Sequence, residues 1–157
     1  MNTTRIGLDV QKSTALATNL NSLLANFQIY YQNLRGLHWN IKGKSFFELH
    51  VKFEELYTDS QEKVDMIAER ILTLGAVPLH SFEDYLKEAK IPVGKNVSKD
   101  TEAVELVLSS LSELLKIERE LLEESDNAQD EGTNSMMSDF IAEQEKTIWM
   151  LTAWLAN

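Results

Sequence analysis

A chain of 157 residues is long enough for one domain with a real core, and one domain over 1–157 is the expectation. It carries 25 acidic against 15 basic side chains, a net charge of −10, and no cysteine. That excludes a disulfide framework, thiolate chemistry and the Lys/Arg clusters that non-specific phosphate binding needs.

With only 2 prolines and 6 glycines, long stretches lack a helix breaker, which predicts an all-α chain. The first helix is expected from about Val10 to Leu37, with Leu16, Leu20, Leu23, Phe27 and Leu34 at helical spacing and a stop near Gly36. A short link through Trp39, Asn40 and Gly43 follows. Ser45, with Glu48 three residues on, reads as a capping box opening a second helix that runs to about Leu74, before Gly75 and Pro78. The segment from Ala76 to Lys99 reads as a connection with one short amphipathic helix, Ser81 to Ala89. A third long helix is expected from Asp100 or Thr101 to about Ser125. An acidic turn punctuated by Gly132 and Thr133 precedes the last, about Asn134 to Leu155. Two helical hairpins joined by a crossover make a ferritin-like four-helix bundle, with a short extra helix between the second and third long helices. No basic-then-apolar leader and no membrane-length apolar run is present, so the cytoplasm is the expected location.

Four side chains stand out as metal ligands: His38, His50, Asp65 and Glu69. Two imidazoles with two carboxylates suit iron, manganese or zinc. Asp65 and Glu69 are four residues apart and share one helix face. His50 and Asp65 are fifteen apart, so one helix carrying both separates them by about 22 Å. No single ion spans that distance. Either the four are unrelated or the site forms between two copies of the chain. Each residue also has a plainer reading. A histidine near a helix end is often a capping or surface group, Trp39 often packs, and Asp65 with Glu69 reads as a solvated face neutralised by Lys63 and Arg70. The chain has no Glu-x-x-His, which disfavours the usual metal site inside a bundle and sharpens the case for one between subunits.

His-Trp-Asn at 38–40, a second histidine twelve residues later, and Asp-x-x-Ala-Glu-Arg fifteen beyond that resemble the Dps family, the miniferritins also called DNA-binding proteins from starved cells. Leu74–Gly75, Pro78, the short connecting helix and Ile148–Met150 match as well, so the resemblance spans nearly the whole chain. It implies hollow dodecamers with ferroxidase sites at two-fold interfaces, where His38 and His50 of one subunit face Asp65 and Glu69 of its neighbour, with Trp39 beside them shielding the metal or intercepting radicals. It implies oxidation of Fe(II) by hydrogen peroxide in preference to dioxygen, and storage of the ferric mineral, with zinc or manganese as substitutes at the same ligands. It also implies acidic iron-access pores near the turn between the third and fourth long helices, for which Asp126, Asp130 and Glu131 are the candidates. Some relatives have another acid where Ser135 stands, and Glu54, Glu55 and Glu62 are candidates for nucleating mineral on the inner surface.

The chain departs from the family name in one respect. Only Arg5 and Lys12 precede or open the first helix, and the end, TAWLAN, has no basic residue. Direct DNA binding is therefore not expected. The competing readings are a non-enzymatic helical-bundle interaction protein and a nucleoid-binding protein bridged to DNA by divalent metal.

Overall fold

The computed structural model describes residues 2–156. Five helices carry them: α1 Val10–Asn40, α2 Phe46–Thr73, α3 Phe82–Glu88, α4 Asp100–Asn127 and α5 Glu131–Leu155. The described residues form no strand beyond an isolated bridge between Thr3 and Asp9. α1 packs along α2, α4 along α5, α1 also against α4, and α3 lies on α1. This is the ferritin-like bundle, and its short extra helix is α3. No described helix is long and apolar enough to cross a membrane.

Each long helix turns an apolar stripe inward. Leu20, Leu23 and Phe27 of α1 meet Phe53, Ile67 and Ile71 of α2, Leu111 and Leu114 of α4, and Met137 and Phe140 of α5, all fully or nearly fully buried. Burying such side chains is the main drive for four helices that alone would be marginal in water, at about 1.5–3 kcal/mol each. Phe27 and Phe140 meet edge to face at 6.0 Å, tying α1 to α5.

Three local expectations need correction. Gly36 does not stop α1, which continues to Asn40. Asn40 donates its side-chain amide to the Gly36 carbonyl and Ile41 N–H caps Leu37, so the last turn is held by bonds a glycine rule does not see. Ser45 sits at the start of α2, but its side chain makes no capping bond. Gly132 and Thr133 are helical rather than turn residues. Asp130 is the N-cap of α5, accepting from Thr133 N–H, so the helix starts at Glu131 and the turn contracts to Ala128–Asp130. Gln129 takes the left-handed conformation, φ 57°, that this short reversal requires.

The crossover is fastened to α1 by asparagines. Asn26, fully buried, accepts from the backbone N–H of Lys90 and Ile91. Asn33 donates to the Pro92 carbonyl and accepts from Gly94 N–H, while Asn21 does the same with Val77 and Leu79. These side chains satisfy backbone groups that an irregular segment packed on a helix leaves without partners.

Candidate metal centre

Because α1 runs past Gly36, His38 lies in its last turn, facing His50 in the first turns of α2. The two rings stack at 3.8 Å between centroids, 12° from parallel. His38 Nδ1 is 2.7 Å from the His50 carbonyl oxygen, and His50 Nδ1 is 2.7 Å from the His38 carbonyl oxygen. A carbonyl only accepts, so each Nδ1 carries the proton and donates it. In the neutral ring this leaves each Nε2 with a free lone pair, the tautomer a metal ligand needs. One reciprocal pair of bonds thus sets the orientation and the protonation pattern of both imidazoles.

Aromatic neighbours hold the stack. Phe46 lies on the His50 ring at 5.0 Å, and Tyr57 meets the His38 ring edge-on at 5.4 Å. Beyond them Tyr31 packs on Tyr57, and the Arg35 guanidinium covers Tyr31 and, at 4.9 Å, Trp39. Trp39 itself is 57% exposed, next to the stack rather than in the core.

A third donor completes this half. Glu54 Oε1 is 3.7 Å from His38 Nε2, and His38, His50 and Glu54 each offer a ligand atom within 4.8 Å of the others. The family resemblance offers Glu54 only as a mineral-nucleating acid. Its spacing from His50, one helical turn, is the signal that puts it beside the histidines.

Asp65 and Glu69 lie further along α2, both exposed and outside this group. Thr58, Gln61, Glu62 and Ala68 surround Asp65 in an open surface depression. The cations that a solvated-face reading assigns to these carboxylates are engaged elsewhere. Lys63 turns to Asp59 and Glu143, and Arg70 to Asp130 and Thr133. Among the described residues no ion pair reaches Asp65 or Glu69. One subunit therefore presents two separate half-sites: a preset imidazole pair with a carboxylate, and an uncompensated carboxylate pair.

At the α4–α5 turn, Asp126 and Glu131 are exposed, whereas Asp130 is 1% exposed. Asp130 accepts from Thr133 N–H and Oγ1 and pairs with the Arg70 guanidinium, so its carboxylate is a structural anchor rather than a group lining a solvent channel. Gly132 permits the approach: a Cβ there would stand 2.7 Å from the Arg70 guanidinium nitrogens.

The ferritin-like domain family matches residues 17–157. A "DNA protection during starvation protein" from Porphyromonas gingivalis is 40% identical over 94% of this chain and 93% of its own length. The chain belongs to the Dps family of ferritin-like proteins. Solved Dps structures agree with this bundle closely. A Dps protein from Vibrio cholerae O1, described as a member of the ferritin-like diiron-carboxylate superfamily, superposes with a TM-score of 0.97 at 52% identity, over 99% of this chain and 98% of that one. Dps from Bacillus brevis gives 0.90 at 35% identity, over 93% and 98%.

Proposed function

We propose that this Dps chain is a ferroxidase and iron store, oxidising Fe(II) at sites shared between two subunits and keeping the ferric product inside a hollow homo-oligomeric shell. The observation that carries this reading is the pair of half-sites, one where α1 ends against the start of α2 and one further along α2. The imidazoles are preset with Nε2 free, the carboxylates are left without cations, and about 22 Å of helix keeps the two apart within one subunit. Two copies related by a two-fold axis bring His38, His50 and Glu54 of each to Asp65 and Glu69 of the other, and one interface makes two equivalent sites. The oligomer proposed is the family's dodecamer.

Fe(II) is the substrate. The carboxylates offset the charge gained on oxidation, and neutral imidazoles supply borderline donors that leave positions open for the oxidant. With hydrogen peroxide as the preferred oxidant, each peroxide takes one electron from each of two Fe(II) ions. With two protons it leaves as two waters. The Fe(III) then hydrolyses and deposits inside the shell, where the exposed acids Glu54, Glu55 and Glu62 of α2 offer nucleation points. Removing Fe(II) and peroxide together protects the cell from hydroxyl radical. Asp126 and Glu131 remain the acids proposed to draw iron through the shell wall. Zinc and manganese compete for the same ligands, since affinity alone does not select iron. The cytoplasm is the proposed location.

Direct DNA contact is not proposed. Twelve subunits at −10 each repel phosphate, and tight retention in a gel shift at near-physiological salt would overturn this.

The deciding experiment adds Fe(II) to metal-free protein without air, then hydrogen peroxide, following ferric absorbance and sizing the product by light scattering. Fast oxidation with soluble ferric product in a large particle is the expected result. Oxidation no faster than in buffer, with precipitating iron, moves the non-enzymatic interaction protein ahead.

A further inference from the structure

Among the described residues no carboxylate pairs with Arg35. Its guanidinium lies instead between two rings of its own helix. Cζ stands 4.9 Å from the centroid of the Trp39 ring and 5.6 Å from that of Tyr31. Residues 31, 35 and 39 are four apart in turn, so α1 sets them along one face. Tyr31 meets Tyr57 at 6.0 Å, and Tyr57 meets the His38 ring at 5.4 Å. The cation is thus built into the aromatic surround of the imidazole stack, and the indole that it covers directly follows His38 in the chain.

Trp149 supplies an internal comparison. It is 66% exposed against 57% for Trp39. Among the described residues the cations lying over rings are Arg35, on Tyr31 and Trp39, and Lys63, on Phe140. Two indoles of similar accessibility therefore differ in that Trp39 carries a charge on its face. Packing alone asks for no more than the apolar stem of an arginine. The charge adds a redox consequence. A cation is attracted to the negative face of an indole. Removing one electron from the ring turns that attraction into repulsion between two positive charges at 4.9 Å. Arg35 is partly buried, so water screens the repulsion less than it would on an open surface. The family resemblance leaves Trp39 two roles, shielding the metal or intercepting radicals, and a guanidinium on the ring favours the first.

We propose that Arg35 is a positioning residue that fixes the Trp39 indole beside the imidazole pair and, through its charge on the ring face, makes that indole harder to oxidise than one without such a cation. The proposal rests on the ferroxidase reading for the source of the oxidant. When Fe(II) gives peroxide a single electron, the products are Fe(III), hydroxide and hydroxyl radical. The radical becomes a second hydroxide by taking an electron from an accessible ring, and an oxidised indole then releases its Nε1 proton to water. With the Arg35 charge in place Trp39 resists that loss. The indole persists through turnover as a wall beside the imidazoles instead of being consumed there.

The test uses azide radical on metal-free protein, without iron or peroxide, so a chain that failed as a ferroxidase would still give either result. Each azide radical takes one electron from a ring and leaves as azide ion. Dissolved oxygen then marks the indole radical, and peptide mass spectrometry reads Trp39 against Trp149 in the same molecule. In the native protein Trp39 is expected to be marked about fivefold less than Trp149. Arg35→Gln removes the charge and is expected to bring Trp39 up toward Trp149. Arg35→Lys keeps the charge and is expected to hold Trp39 near its native yield. If Arg35→Gln does not fold, Arg35→Met keeps the apolar stem without the charge and takes its place. Equal marking of Trp39 and Trp149 in the native protein overturns the proposal. So does a Trp39 yield that is unchanged in the uncharged variant, or that rises as far in Arg35→Lys, since packing rather than charge then protects the ring.

Discussion

The clusters at the two levels of α2 are built from similar parts and do opposite things. Where α1 ends against the start of the helix, His38 and His50 direct their Nδ1 protons to each other's backbone carbonyls and leave Nε2 lone pairs free beside Glu54. Thirteen residues past His50, Lys63 commits its charge to Asp59 and Glu143 and leaves nothing for a metal ion. The difference is the position of the cation. A polar cluster binds a metal when its hydrogen bonds preset the donors without consuming them, and it becomes structural when a built-in ammonium or guanidinium takes them first. Arg70 shows the second outcome again, with its guanidinium drawn to buried Asp130 and away from neighbouring Glu69.

The sharpest way to break this contrast is to remove the uncompensated carboxylates. Asp65→Ala with Glu69→Ala should reduce peroxide-dependent Fe(II) oxidation to the buffer rate while circular dichroism stays native. That loss exceeds the roughly 10–100-fold that outer partners of a metal site contribute, and retained fast oxidation in the double variant would place the chemistry elsewhere. Asp130→Ala should strand the Arg70 charge and uncap α5. A loss of about 3–5 kcal/mol is expected, read by denaturant unfolding; a change under about 1 kcal/mol would make the anchor decorative.

Glu118→Gln sharpens the comparison through pH. The folded-state pKa of Glu118 is raised from 4.5 to about 8, so the folded chain holds a proton that the unfolded chain releases. Stability is therefore lost as pH rises from 4.5 toward 8, and the cost levels off above that. The variant lacks this loss. It should match the native chain near pH 4.5 and exceed it at pH 8 by up to a few kcal/mol, because each pH unit crossed between the two pKa values costs the native fold about 1.4 kcal/mol. Thermal melts at both values check this, and equal differences at the two pH values would contradict the buried protonated acid. Smallest is Glu54→Gln, which keeps size and one oxygen donor but removes the charge. It should weaken Fe(II) binding about tenfold with little change in melting temperature, measured by anaerobic titration.

Much of the bundle is visible in the sequence. Helical spacing of apolar residues marks four long helices, and Ser81 and Ala89 bracket the short one as its caps. The errors lie at ends, where tertiary bonds outweigh a single glycine or serine: α1 passes through Gly36, and the start of α5 is decided by Asp130. His38, His50, Asp65 and Glu69 draw attention by residue type and spacing, and the distance between half-sites follows from helical rise alone. What spacing does not show is where long side chains turn. Lys63 and Arg70 look like partners for the α2 acids in the chain order, yet both reach across to α5 and its cap, because burial rewards a cation that finds carboxylates of its own. Glu54 is legible as a donor but not as a neighbour, since its place beside His38 depends on how α1 ends.

The three asparagines of α1 bear on the order in which the chain folds. Asn21, Asn26 and Asn33 accept or donate to backbone between Val77 and Gly94, 56 to 65 residues away in sequence. These bonds have no partners until α1 has closed on α2 and brought the crossover back, so the loop-closure entropy is lost before they can offset it. The α4–α5 hairpin, whose reversal is local, is free to form early. Docking of the crossover onto α1 then waits on closure of α1 against α2, and the buried side chain of Asn26 has its backbone partners only once that step is complete.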